Sequence, residues 1–114
     1  MTTICVVKKG ENIISIEVSG HTGYDVDGED IVCAGLSCIV QTAVLGIFQI
    51  AQVSATYQID EDKGYLFLSI PENISDRERD ICNIILNTAI LGVDDLRNGY
   101  SDFIELEVKE DDVY

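Results

Sequence analysis

The segment Ile31 to Ala51 is almost wholly apolar and about as long as a helix that crosses a bilayer, and a chain of this size must find a place for it. Two placements exist: a membrane span, or a helix buried at the centre of a small domain. The segment carries Ser37, Gln41, Thr42 and Gln49, follows Asp25, Asp27, Glu29 and Asp30, and has no Lys or Arg at either end to set a topology. The buried helix is the expected reading. It in turn demands a sheet to lie against, and the rest of the chain supplies strands on both sides.

Thr3 to Lys8 is a β-rich run that ends at Lys9-Gly10-Glu11-Asn12. Asn12 to Ser19 then alternates Ile14, Ile16 and Val18 against Ser15, Glu17 and Ser19, the pattern of a hairpin with one wet face. Gly20 to Glu29 contains Gly23 and Gly28, is acidic and lacks periodicity, and reads as a mobile loop. Asp30 is placed as the N-cap of the long helix, which the pattern carries to about Gln52. Val53 to Asp60 and Tyr65 to Ile70 read as two further strands about a polar turn ending in Gly64.

Pro71 stops that sheet segment, and Ser75-Asp76-Arg77-Glu78 is a capping box that opens a second helix. Its predicted buried stripe is Ile81, Ile84, Ile85, Thr88 and Gly92, with an end near Leu96 to Gly99. Ser101 to Lys109 is the last strand, and the acidic Glu110-Asp111-Asp112 is expected to fray. The order is ββαββαβ: one α+β domain over residues 1–114, a mixed five-stranded sheet with two helices on one face.

Charge restricts the partners. Lys and Arg number 7 against 21 Asp and Glu, a formal −14 at pH 7, while 46% of the residues are apolar. That much apolar content supports a packed core. Phosphate backbones bind through Lys and Arg, so neither nucleic acid nor an anionic membrane is an expected partner; a basic polypeptide is. The opening MTTICVVKKGEN lacks the pattern of a secretory leader, and a cytoplasmic location is expected.

There the four cysteines should be free thiols. Cys5, Cys38 and Cys82 lie in apolar stretches and read as small buried hydrophobes. Cys33 differs: it falls in the first turn of the long helix, as its third residue, where unpaired N–H groups and the helix dipole favour a thiolate. The one histidine, His21, precedes the loop that leads into this helix, so a nucleophile and base pair is geometrically feasible.

A zinc site built on His21, Cys33 and Cys38 is disfavoured, because residues five apart on a helix point roughly 140° apart. The Gly-rich loop has neither the Walker spacing nor a Lys for phosphate. No metal and no cofactor is expected.

Gly20-His21, the eleven residues between His21 and Cys33, and Asp30-Ile31-Val32-Cys33-Ala34 followed by Ser37 together resemble the ribosomal-processing cysteine protease family, Prp. The ββαββαβ order agrees with it over nearly the whole chain. The resemblance implies a small homodimeric cytoplasmic endopeptidase that removes a short N-terminal extension from a large-subunit ribosomal protein, number twenty-seven, cutting after an aromatic residue. Carried over, Cys33 matches the nucleophile and His21 the general base, with Gly20, Asp30 and Ser37 in supporting positions.

Asp30 is then either a helix cap or a third member that orients His21, and Ser37 either a bond near the nucleophile or a local back-bond to the Cys33 carbonyl. Gly20 would let the chain turn sharply beside His21. A rival of another class is a non-enzymatic acidic module that binds and shields a basic ribosomal protein.

Overall fold

A computed structural model describes residues 1–20, 29–60 and 62–111, with Glu29 and Asp30 described by backbone alone. The elements are β1 (Thr2–Lys9), β2 (Asn12–Ser19), α1 (Glu29–Gln49), β3 (Thr56–Asp60), β4 (Tyr65–Ser69), α2 (Asp76–Gly99) and β5 (Ile104–Glu110). The five strands form one mixed sheet in the order β3-β4-β2-β1-β5. Among the described residues β1 and β5 are the one parallel pair, and the long stretch of chain between them supplies the crossover that parallel pairing needs.

Both helices cover one face. Ile4, Ile16 and Leu68 of the strands close a small void together with Val40 and Ala43 of α1 and Leu86 and Ala89 of α2. The helix long and apolar enough to cross a membrane, by length and composition, is therefore the core helix here: it places Val32, Leu36, Val40, Ala43, Val44 and Ile47 against the sheet. α1 and α2 run antiparallel and meet closely. A Cβ on Gly46 would lie 3.2 Å from Ile85, and one on Gly92 would lie 3.5 Å from Ile39.

α2 begins as its sequence prescribes. The Glu78 N–H donates to Ser75 Oγ at 3.1 Å, and the Ser75 N–H donates to Glu78 Oε1 at 2.9 Å, which closes the capping box. These bonds from Ser75 hold the Glu78 carboxyl below its ordinary range.

The inward side of α2 differs from the expected stripe. Cys82, Leu86 and Val93 are buried, whereas Ile84 is 67% exposed and Thr88 is exposed. The expected stripe follows one edge of the helix's apolar arc; the centre of that arc, through Cys82, Leu86, Ala89 and Val93, is what packs inward.

β2 holds a second difference. The register slips between Val7 and Lys8, so that Val7 faces Ser15 and Lys8 faces Ile13. Ile14 is the extra residue of this bulge, and Ile13, not Ile14, is the buried one.

The helix and strand ends also shift. α1 stops at Gln49, where the Gly46 carbonyl accepts from the N–H groups of both Ile50 and Ala51, and Gln52 turns the chain at φ +55. β3 accordingly starts at Thr56 rather than Val53. The acidic tail is ordered further than expected. Glu110 belongs to β5 and its Oε1 accepts the Gly10 N–H at 2.6 Å, and the Asp111 N–H donates to the Lys8 carbonyl at 2.7 Å.

Candidate active site

β1 alternates Thr2, Ile4 and Val6 toward the helices. Parallel pairing of Thr2 with Ile104 and a 2.8 Å bond from the Thr2 N–H to the Phe103 carbonyl fix the start of this strand. Thr2 is 4% exposed. Its Oγ1 lies 3.6 Å from Cys33 Sγ on α1.

The helix starts at Glu29 rather than after Asp30, so Cys33 is its fifth residue and opens the second turn instead of lying in the first. Its own N–H has a carbonyl partner one turn back by helix geometry, and the free donors belong to the residues before it. The Cα–Cβ bonds of a helix lean toward its N-terminus, which carries the Cys33 side chain back over that first turn. The same start corrects the reading of Asp30 as N-cap: it lies within the first turn, where an acid still meets the positive end of the helix.

Cys33, half-buried, opens onto a groove of about 330 Å³. One wall is α1, with Cys33, Ser37, Val40 and Gln41; the other is the β3–β4 hairpin, with Ile59, Asp60, Tyr65 and Leu66. Thr2 and Val18 form part of the floor. Ser37, one turn beyond Cys33, has its Oγ accepting from Gln41 Nε2 at 3.2 Å. The Tyr65 hydroxyl donates to Glu17 Oε2 at 2.9 Å, and this bond to a carboxylate raises the phenol above its usual range.

Gly20 ends β2 at φ +95, a backbone conformation natural to glycine, and a Cβ there would lie 2.6 Å from the Met1 carbonyl oxygen. The residue preceding His21 is thus held against Met1 and Thr2, and Thr2 touches Cys33. His21 and the rest of 21–28 lie outside the described residues.

The other thiols separate clearly. Cys82 is buried on the inward side of α2, and burial pushes its thiol up. Cys5 is half-buried in β1. Cys38, expected to be buried, is exposed on the side of α1 away from the sheet, because five residues from Cys33 the helix has turned through more than a third of a circle. The groove therefore holds Cys33 and not Cys38.

Sequence reasoning did not single out Thr2 or the β3–β4 wall. The signal for Thr2 was a hydroxyl on the inward phase of an otherwise apolar strand. The hairpin wall left no local signal, since only folding brings it opposite α1.

A half-buried thiol near the head of a core helix, opening onto an apolar trough, is the arrangement a small thiol hydrolase would use on a chain laid along that trough. The sequence profile of the cysteine protease Prp family matches residues 1–105, and the chain belongs to that family; it is a cysteine protease.

It is similar to the ribosomal processing cysteine protease Prp of Bacillus subtilis, with 28% identity over 92 residues, 81% of this chain and 82% of that protein. The protease of the same name from Staphylococcus aureus is 24% identical over 110 residues, 96% of this chain and 100% of that one. Among solved structures, the essential ribosomal processing protease Prp from S. aureus in complex with a substrate peptide has a TM-score of 0.84 at 23% identity, covering 96% of this chain and 100% of that one. A Streptococcus mutans protein has a TM-score of 0.86 at 23% identity, covering 96% and 95%. These structural likenesses show the α+β fold that the strand and helix pattern predicts.

Proposed function

We propose that the chain removes a short N-terminal extension from a large-subunit ribosomal protein, number twenty-seven, in the cytoplasm. The Cys33 thiol opening onto the groove between α1 and the β3–β4 hairpin carries this reading. His21 takes the Cys33 proton, and the thiolate attacks the scissile carbonyl. Backbone N–H groups of the first turn of α1 hold the oxyanion. The amine leaves with the proton from His21, and water, deprotonated by His21, releases the acyl group and restores the thiol. Gly20 sets the path of the chain into His21, while Asp30 in the first helical turn and Ser37 on the groove wall support the pair.

Val18, Leu36, Val40, Ile59 and Leu66 make the groove apolar, which suits an aromatic side chain before the cut. The net −14 suits the basic residues expected of a ribosomal protein. The named relatives from B. subtilis and S. aureus support the same substrate class. The test is mass spectrometry of a peptide spanning the extension and first mature residues of the host's own protein. Cleavage at one bond after an aromatic residue is the expected result. A peptide bound tightly and left intact would favour the shielding module instead.

The enzyme works as a homodimer joined through the helix layer. The side of that layer away from the sheet exposes Ile31 (71%), Leu45 (56%), Ile84 (67%) and Leu91 (71%), an apolar surface of the kind that a second copy covers. Sedimentation velocity should find a dimer for the native chain and a monomer for Leu91→Glu; a native monomer at high protein concentration would refute the assignment.

A further inference from the structure

We propose that Thr2 is a positioning residue for the nucleophile: its buried hydroxyl, 3.6 Å from Cys33 Sγ, donates to the thiolate and holds it facing the groove. The proposal rests on Cys33 being the nucleophile, as argued above.

Three observations carry it. Thr2 is the one buried polar or charged residue among the described residues. A buried hydroxyl needs a partner, and the partner that its geometry supplies is the sulfur. The strand that presents it is held on both sides: by β5 through the Thr2–Ile104 pairing and the Thr2 N–H bond to Phe103, and by Gly20, whose Cα side closes on the Met1 carbonyl. The hydroxyl therefore has little freedom to follow the sulfur, and the sulfur is oriented by it.

The chemistry has a direction. Against a neutral thiol either atom can be the donor, but a thiolate has no proton and can only accept. The interaction is strongest in the charged form, since hydrogen bonds to ions exceed those between neutral groups. Thr2 thus favours the reactive state through its bond to Cys33.

Threonine and valine have nearly the same shape, so Thr2→Val removes the hydroxyl and keeps the bulk, Thr2→Ser keeps the hydroxyl, and Thr2→Ala removes both. Iodoacetamide rates at Cys33, resolved from the other thiols by mass spectrometry of its peptide, are measured against pH for the four proteins, together with kcat/KM on the extension peptide. In Thr2→Val the alkylation profile should move to higher pH, with the rate at neutral pH falling roughly three- to tenfold. Thr2→Ala should show the same displacement and Thr2→Ser should follow the native protein. Denaturant unfolding of Thr2→Val should be at or above the native midpoint, because a buried hydroxyl becomes a methyl group.

A valine profile that superimposes on the native one overturns the proposal. So does a serine variant that falls with the valine one, which would assign the effect to packing of the methyl group. The reading of Cys33 itself fails separately, if Cys33→Ala still cuts the peptide.

Discussion

Cys33→Ala is expected to abolish peptide cleavage while leaving peptide affinity and fold close to native. Removing the nucleophile of a covalent mechanism costs on the order of 10⁴- to 10⁶-fold in kcat, because the acyl-enzyme route is lost with it. Binding survives because the groove is walled by Leu36, Val40, Ile59 and Leu66, none of which depends on the sulfur for its position. Removing the sulfur also takes the partner from the buried Thr2 hydroxyl, so a loss of about 1–2 kcal/mol of stability is expected, partly offset because alanine is a good helix former.

A second readout in the native chain separates chemistry from access. Cys38 is exposed and Cys33 only half-buried, so access alone would have iodoacetamide label Cys38 first. Faster labelling of Cys33 would demonstrate activation. Single-turnover mass spectrometry of Cys33→Ala with the extension peptide checks the main result; residual cleavage at a few per cent of the native rate would transfer the nucleophile elsewhere.

The second large effect is expected at Gly20. Any L side chain there adopts φ +95 at a cost of roughly 1–2 kcal/mol, and its Cβ meets the Met1 carbonyl oxygen at 2.6 Å, a backbone atom that cannot rotate away. Gly20→Ala must therefore move either Met1 and Thr2 or the path of the chain into His21. Unfolding should become easier by more than about 2 kcal/mol, and kcat/KM should fall further than stability alone explains.

Gly10 supplies the control. It also has positive φ, +64, but a Cβ there meets nothing within 4 Å. Gly10→Ala should show only the conformational cost and keep full activity. Equal urea midpoints and equal kcat/KM for the two variants would remove the close approach at Gly20 from the account.

These positions show which parts of the molecule local sequence could reveal. The order of elements is a matter of short-range pattern. Ser75 and Glu78 close a capping box because they are three residues apart on an emerging helix. Ile31 to Ala51 could only be a core helix once its flanks excluded a span. The Cys33 position at the helix start and the glycine before His21 were equally visible, since both depend on near neighbours.

What tertiary structure decided lies in phase and proximity. The apolar arc of α2 is wider than the strip it buries, Ile84 and Leu91 lie outside that strip, and Gly46 and Gly92 mark where the two helices approach. The bulge in β2 exchanged Ile13 for Ile14 because strand pairing with β1, not alternation within β2, sets which residue faces the helices. The meeting of Thr2 with Cys33, and of α1 with the β3–β4 hairpin, joins residues far apart in the chain. Local sequence therefore determined the elements and marked Cys33 as the candidate thiol, through interactions a few residues long, whereas the groove and the partner of that thiol came from packing that no local pattern encodes.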